Sequence, residues 1–152
     1  MARHGYGGLL RDSDGRWIKG YSRKIGACDA LQSKMWGMYL GLDLARQQGI
    51  RQLHVESDSK VLIDMVTKKN KFNGNIPTLV HRIRQLLKLN WQVHLSHTWR
   101  EEKRSADWLA NFSYSLSFFN VHFLESPPRE LQSLLFDNVS EACMPRNIHL
   151  IL

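Results

Sequence analysis

The chain has 152 residues, enough for one domain with a sizeable core, and its 43% hydrophobic and 23% charged residues exclude wholesale disorder. No apolar run approaches a membrane span, Met1 to Gly5 lacks the character of a signal peptide, and Cys28 and Cys143 are too few and too far apart for a disulfide scaffold or a zinc site. The expectation is an intracellular protein, nuclear or cytoplasmic, neither secreted nor membrane-bound, whose net charge of +7 favours a polyanionic partner because Lys and Arg contacts to phosphates release counterions.

Tyr6 to Arg11 and Arg16 to Tyr21 flank Asp12–Ser13–Asp14–Gly15, two short strands around a polar loop ending in Gly, which predicts a β-hairpin. The loop also resembles the opening of a calcium loop, but no Glu follows at the required distance and turn chemistry explains its residues. Cys28 to Gln48 predicts a long helix, with Leu31, Met35, Met38, Leu42 and Ala45 on one buried face and Gly49 just beyond its C-terminus. Leu53 to Ser59 alternates with a period of two and then meets Asp58, after which Lys60 to Val66 reads as a short helix. A strand ending on Asp and turning at once into a helix places that carboxylate at the carboxyl edge of a sheet, where ligands gather in open α/β folds.

Lys68 to Pro77 is a polar, basic loop, and Thr78 is the expected N-cap of a second strong helix carrying Leu79, Ile83, Leu86 and Leu87 inward. Trp91 to Ser96 alternates again as a strand, a charged loop runs from His97 to Arg104, and Ser105 is the expected cap of a last helix with Asp107 in its first turn. The order strand, strand, helix, strand, helix, helix, strand, helix implies a mixed α/β domain over residues 1–116. Residues 117–152 read as an appended tail with one short amphipathic helix around Leu131, Leu134 and Leu135.

Asp58, His97 and Asp107 converge in this layout, and two carboxylates at element ends suit a hard divalent cation such as magnesium. Each has a purely structural reading beside that one: Asp58 as a helix cap, Asp107 as a partner of a helix dipole, His97 as an ordinary loop residue. Basic residues at Lys68, Lys69, Lys71, Arg82, Arg100 and Arg104 are candidates for nucleic-acid contacts, although any one cluster alone reads as a solvated face.

Val55–Glu56–Ser57–Asp58–Ser59, Ser96–His97–Thr98–Trp99–Arg100–Glu101 and Ala106–Asp107–Trp108–Leu109–Ala110 resemble, in order and spacing, three blocks of the ribonuclease H family. The likeness is greatest to plant-type ribonuclease H-like domains of non-LTR retroelement origin. It extends to Gly8–Leu9–Leu10–Arg11–Asp12, Gly15–Arg16–Trp17, residues 30–41 and Glu125 to Leu131, nearly the whole chain. The resemblance implies a ribonuclease H-like mixed sheet flanked by helices. It also implies magnesium-dependent endonucleolytic hydrolysis of RNA in RNA–DNA hybrids, with two Mg2+ held by four carboxylates. Asp58 and Asp107 match two of those places, as metal ligands and catalytic groups, and His97 matches the loop histidine that assists them.

The other two places differ. The family's first strand, central between the hairpin and the Asp58 strand, has no counterpart ahead of Gly5, and its Asp is missing with it. A truncated gene model, a missing upstream exon or a decayed retroelement copy accounts for that, and Ile148 to Leu152 filling a strand position is a further reading. The first-helix motif reads Ser33–Lys34–Met35–Trp36–Gly37, so Lys34 replaces the family Glu. At about 100° per residue, Lys34 borders the buried stripe, about 60° from its centre, while Gln32 points about 160° around from Lys34. Glu56 sits deeper in its strand and Glu101 and Glu102 lie in the charged loop, so none of them substitutes. Two expectations follow: Lys34 pairs with Asp58 or Asp107, and the copy is an impaired hydrolase. The alternatives are an inactive nucleic-acid-binding relic, or a protein-interaction domain built on the Phe-rich tail.

Overall fold

β1 (Arg3–Arg11) and β2 (Trp17–Ala27) form an antiparallel hairpin in the computed structural model, which describes residues 3–27, 29–68, 76–98, 103–116, 120–132 and 147–152. The turn is built as its residues predict. The Asp12 carboxylate accepts from the backbone N–H of Asp14 and Arg16 at 2.9 and 2.8 Å, and Gly15 takes the positive φ of 83° that turns the chain back. Both strands run longer than the sequence pattern alone marks, Arg3 to Gly5 pairing with Lys24 to Ala27 beyond the expected ends.

α1 (Ala30–Gln47) is capped by Asp29, whose side chain accepts from the Gln32 N–H at 2.6 Å, and Gly49 follows it with φ 76°. The expected stripe is correct in Met35, Met38, Leu42 and Ala45, which are buried, while Leu31 is half-buried at the edge. Close approach matters at Gly41. A Cβ there would stand 2.5 Å from the Tyr21 hydroxyl and 2.7 Å from Leu150 Cδ2, so the helix lies directly on the sheet. β3 (Gln52–Ser57), α2 (Lys60–Thr67), α3 (Thr78–Leu87) and β4 (Gln92–His97) follow. Thr78 is the first residue of α3 rather than its cap; Pro77 holds the capping place, its fixed φ of −56° suited to a helix entry. Arg84 of α3 donates to the Met65 carbonyl at 2.6 and 3.1 Å and so satisfies an end group of α2.

α4 (Lys103–Phe112) starts two residues before Ser105, which is therefore buried inside the helix and not its cap. A 3-10 turn (Ser113–Ser115) ends it. Residues 117–152, expected as an appended tail, contribute β5 (His122–Leu124) and β6 (Ile148–Ile151) to the same sheet. Only residues 129–132 of the expected tail helix are described as helical, with Leu131 fully buried; Leu134 and Leu135 lie outside the described residues.

The six strands run in the order β4-β3-β6-β1-β2-β5. β6 is parallel to β3 and antiparallel to β1, so it stands in the central place that the resemblance gives to a first strand. Leu150 and Ile151 point to opposite faces, as a period of two requires. Leu150 joins the main core under α1, α2 and α3, and Ile151 joins Leu9, Ala106, Leu109 and Leu131 beneath α4. Burying each of these side chains fully contributes about 1.5–3 kcal/mol towards seating the strand.

Candidate functional site

The carboxyl ends of β3 and β4 bring the sequence candidates together. Asp58 follows directly on β3, and Ser59 rather than Asp58 caps α2, its hydroxyl accepting from the Leu62 N–H at 3.2 Å. The capping role considered for Asp58 thus falls to its neighbour. The Asp58 carboxylate instead meets Lys34 Nζ at 2.6 Å, as the helical arithmetic anticipates. Asp58 is 18% exposed and Lys34 39%, so the pair sits at the rim rather than in the core.

His97 is the last residue of β4 rather than a loop residue, and its Nε2 donates to the Asp58 backbone carbonyl at 3.0 Å. That bond fixes the turn after β3 against the neighbouring strand. Asp107 lies beyond the first turn of α4, which removes the helix-dipole reading, and its exposed side chain lines the same cavity as Lys34 and Asp58. The placement of Asp107 rests on Gly7: a Cβ there would stand 2.5 Å from Leu109 Cβ, so only a glycine lets α4 settle on β1. The Ser22 hydroxyl donates to the Leu109 carbonyl at 2.6 Å and holds the helix in that seat.

The cavity has a volume of about 160 Å³, with Ser33, Ser57, Gly5 and Leu152 completing its wall. Ser33 donates to the Gly5 carbonyl at 2.8 Å, and the Leu152 N–H donates to the Glu56 carbonyl at 3.0 Å, which extends the β6 ladder to the cavity. Sequence reasoning offers Ile148 to Leu152 as a strand but does not place Leu152 at this cavity, and that largely apolar run carries no signal that would. Gln32 lines a different hollow with Met35, Trp36 and Arg82, in keeping with its direction on α1. Glu56 is buried beside His149 and does not line the cavity. Among the described residues, no group of three His, Cys, Asp or Glu is placed to hold a metal ion.

Of the basic candidates, Lys68 and Arg82 are exposed, Lys68 in the left-handed residue (φ 62°) that ends α2. Lys69, Lys71 and Arg100 lie outside the described residues, as do Glu101, Glu102 and the side chain of Arg104.

Residues 2–113 match the family described as Reverse transcriptase-like, and a protein of Arabidopsis thaliana named as a ribonuclease H protein is 34% identical over 144 residues. The chain belongs to this reverse transcriptase-like, ribonuclease H-like family. The Arabidopsis relative is matched over 95% of this chain, which spans only 23% of that protein's length. Among solved structures, the fold is similar to that of ribonuclease H1 from the archaeon Halobacterium salinarum NRC-1, with a TM-score of 0.67 and 23% identity over 75% of this chain and 87% of that one. It is also similar to the N-terminal ribonuclease H domain of rv2228c from Mycobacterium tuberculosis, with a TM-score of 0.55 and 16% identity over 70% of this chain and 95% of that one. At such identities the two structures speak for the fold alone. A ribonuclease H-like chain with Lys34 against Asp58 is therefore a family member with an ammonium at its sheet edge.

Proposed function

We propose that this ribonuclease H-like domain binds nucleic acid, an RNA–DNA hybrid or duplex, and is impaired in the magnesium-dependent hydrolysis its family performs. The observation that carries the reading is the 2.6 Å contact between Lys34 and Asp58. A pair of magnesium ions needs oxygen ligands and a surplus of negative charge. The described charged groups around the cavity are two carboxylates and one ammonium, and the ammonium already holds Asp58. That donor set does not fit two divalent cations. The Lys34 ammonium places one positive charge against Asp58 but cannot coordinate a water and lower its pKa as a divalent metal does.

The binding half of the proposal rests on charge. The net +7 and the exposed Lys68 and Arg82 give the chain sequence-independent affinity for phosphates, steeply weakened by salt. In this role Asp58, His97 and Asp107 keep the shape of the sheet edge where the backbone of a duplex passes. Retroelement origin fits a domain retained for binding with Lys34 at the place of a family carboxylate.

Hybrid binding by fluorescence anisotropy, run beside a cleavage assay in magnesium or manganese, tests both halves. Binding at low salt without cleavage is expected. Robust cleavage by the unmodified chain, abolished by Asp58→Asn, would overturn the impairment. Absence of binding to hybrid or duplex at low salt would overturn the nucleic-acid reading.

A further inference from the structure

A row of basic side chains crosses the sheet on the face away from α1, and nothing in the nucleic-acid reading uses it. His94 of β4, His54 of β3, His149 of β6 and Arg11 of β1 are register partners in turn, one on each of four adjacent strands. The ring centroids of His54 and His94 are 4.9 Å apart, and those of His54 and His149 are 5.2 Å apart. His149 and Arg11 are buried, at 7% and 4% exposure. Among the described residues, His54 Nδ1 and His149 Nε2 are buried without a hydrogen-bond partner, while His54 Nε2 shares a 2.7 Å bond with the Ser96 hydroxyl.

Four groups that can each carry positive charge thus share one rung; His94 is exposed, but His54 is half-buried and His149 and Arg11 are buried, which makes repulsion among these three costly. A carboxylate also faces the row: Glu56, whose Oε2 is 3.9 Å from His149 Nδ1, beyond hydrogen-bond distance. It favours a charged His149 but does not outweigh burial and the neighbouring Arg11, which together push that imidazole below its ordinary range. Burial, then His149 and His94, lower His54 from the ordinary 6.5 to about 4.

We propose that this row makes the seating of β6 depend on pH: neutral His54 and His149 let the strand lie between β1 and β3, and their protonation releases it and opens the wall of the Lys34–Asp58–Asp107 cavity formed by Leu152. The geometry supplies the link. His149 belongs to β6 itself, its closest ring neighbour belongs to β3, and the backbone beyond Ile151 lines the cavity. The direction follows from linkage. A histidine whose proton affinity falls on folding supports the seated strand above its ordinary 6.5, and that support is lost as pH drops towards the folded value near 4. Between about pH 7.5 and 5.5, His54 alone shifts the seated-to-released ratio about tenfold, and His149 adds in the same direction. The inference concerns the strand and stands whether or not nucleic acid binds the cavity.

Amide hydrogen exchange on the full chain, corrected for intrinsic rates, reads the seating directly. The Leu150, Ile151 and Leu152 amides are expected to lose protection about tenfold or more between pH 7.5 and 5.5, while Met38 and Leu42 in α1 keep theirs. A His54→Gln/His149→Gln chain should show no such pH dependence. Unchanged β6 protection, an equal loss in α1, or the same pH dependence in the double variant would each overturn the proposal. If the double variant does not fold, NMR titration of the unmodified chain decides: a His54 midpoint below about 5.5 supports the device, and one near the ordinary 6.5 overturns it.

Discussion

Replacing Leu150 by Ala tests whether the central place in the sheet belongs to β6. Leu150 is fully buried, pairs with Val55 and Leu10, and lies against the helix face that Gly41 opens. The substitution removes three side-chain carbons, about 2.4 kcal/mol of transfer free energy at about 0.8 kcal/mol per buried carbon. α1 lies close on this point, so the space cannot collapse completely, and the residual cavity raises the loss to about 3–4 kcal/mol. For a chain of this size that corresponds to a melting midpoint lower by about 6–16 °C. Urea denaturation followed by circular dichroism measures it, with an unchanged m-value confirming that the native state is still compact. Leu89→Ala, at a position 43% exposed, serves as the control and should cost under about 0.5 kcal/mol. A loss below about 1 kcal/mol for Leu150→Ala would refute the reasoning, since a strand outside the sheet has little to lose. If the Ala variant does not fold, Ile151→Val, expected to cost about 0.5–1.5 kcal/mol, reads the same strand more gently.

Three further substitutions probe the site and its supports. Lys34→Glu replaces the ammonium against Asp58 by a third carboxylate, and titration calorimetry should show tighter magnesium binding than in the unmodified chain; equal affinity in the two would contradict the electrostatic argument. Gly7→Ala drives a Cβ into Leu109 and the adjoining α4 backbone, so chemical denaturation should report a loss of about 1–3 kcal/mol. Asp29→Ala removes the α1 cap and should lower stability by about 1 kcal/mol in the same assay, with the site geometry unchanged.

What the residues disclose alone follows the range of the forces involved. The hairpin turn is readable because Asp12 and Gly15 act on atoms within a few residues of themselves. The Lys34–Asp58 contact is readable because two local regularities, the turn of α1 and the end of β3, each aim a side chain at the same edge. The start of α4 is hidden in Lys103 and Arg104, which carry no capping oxygen, so Ser105 draws the eye although it is buried. Pro77 outcompetes Thr78 for a similar reason, its ring setting the backbone where a hydroxyl would otherwise cap. β6 is the hardest to place. The strand reading for Ile148 to Leu152 comes from the vacant first-strand place, and nothing in the four residues themselves says which neighbour is parallel and which antiparallel.

The position of β6 also governs how the protein reaches its fold. In the strand order β4-β3-β6-β1-β2-β5, no pairing joins β1 to β3 except through β6. The β1/β2 hairpin is the local part of the sheet, and β6 joins its side to the β3/β4 side from more than a hundred residues beyond β1. Contacts of that separation slow folding, because loop-closure entropy is spent before the new pairing returns it. Until residues 148–151 dock, each half presents an open edge of N–H and C=O groups, the kind of edge that recruits other chains. Docking of β6 is therefore the step on which closure of these two edges depends.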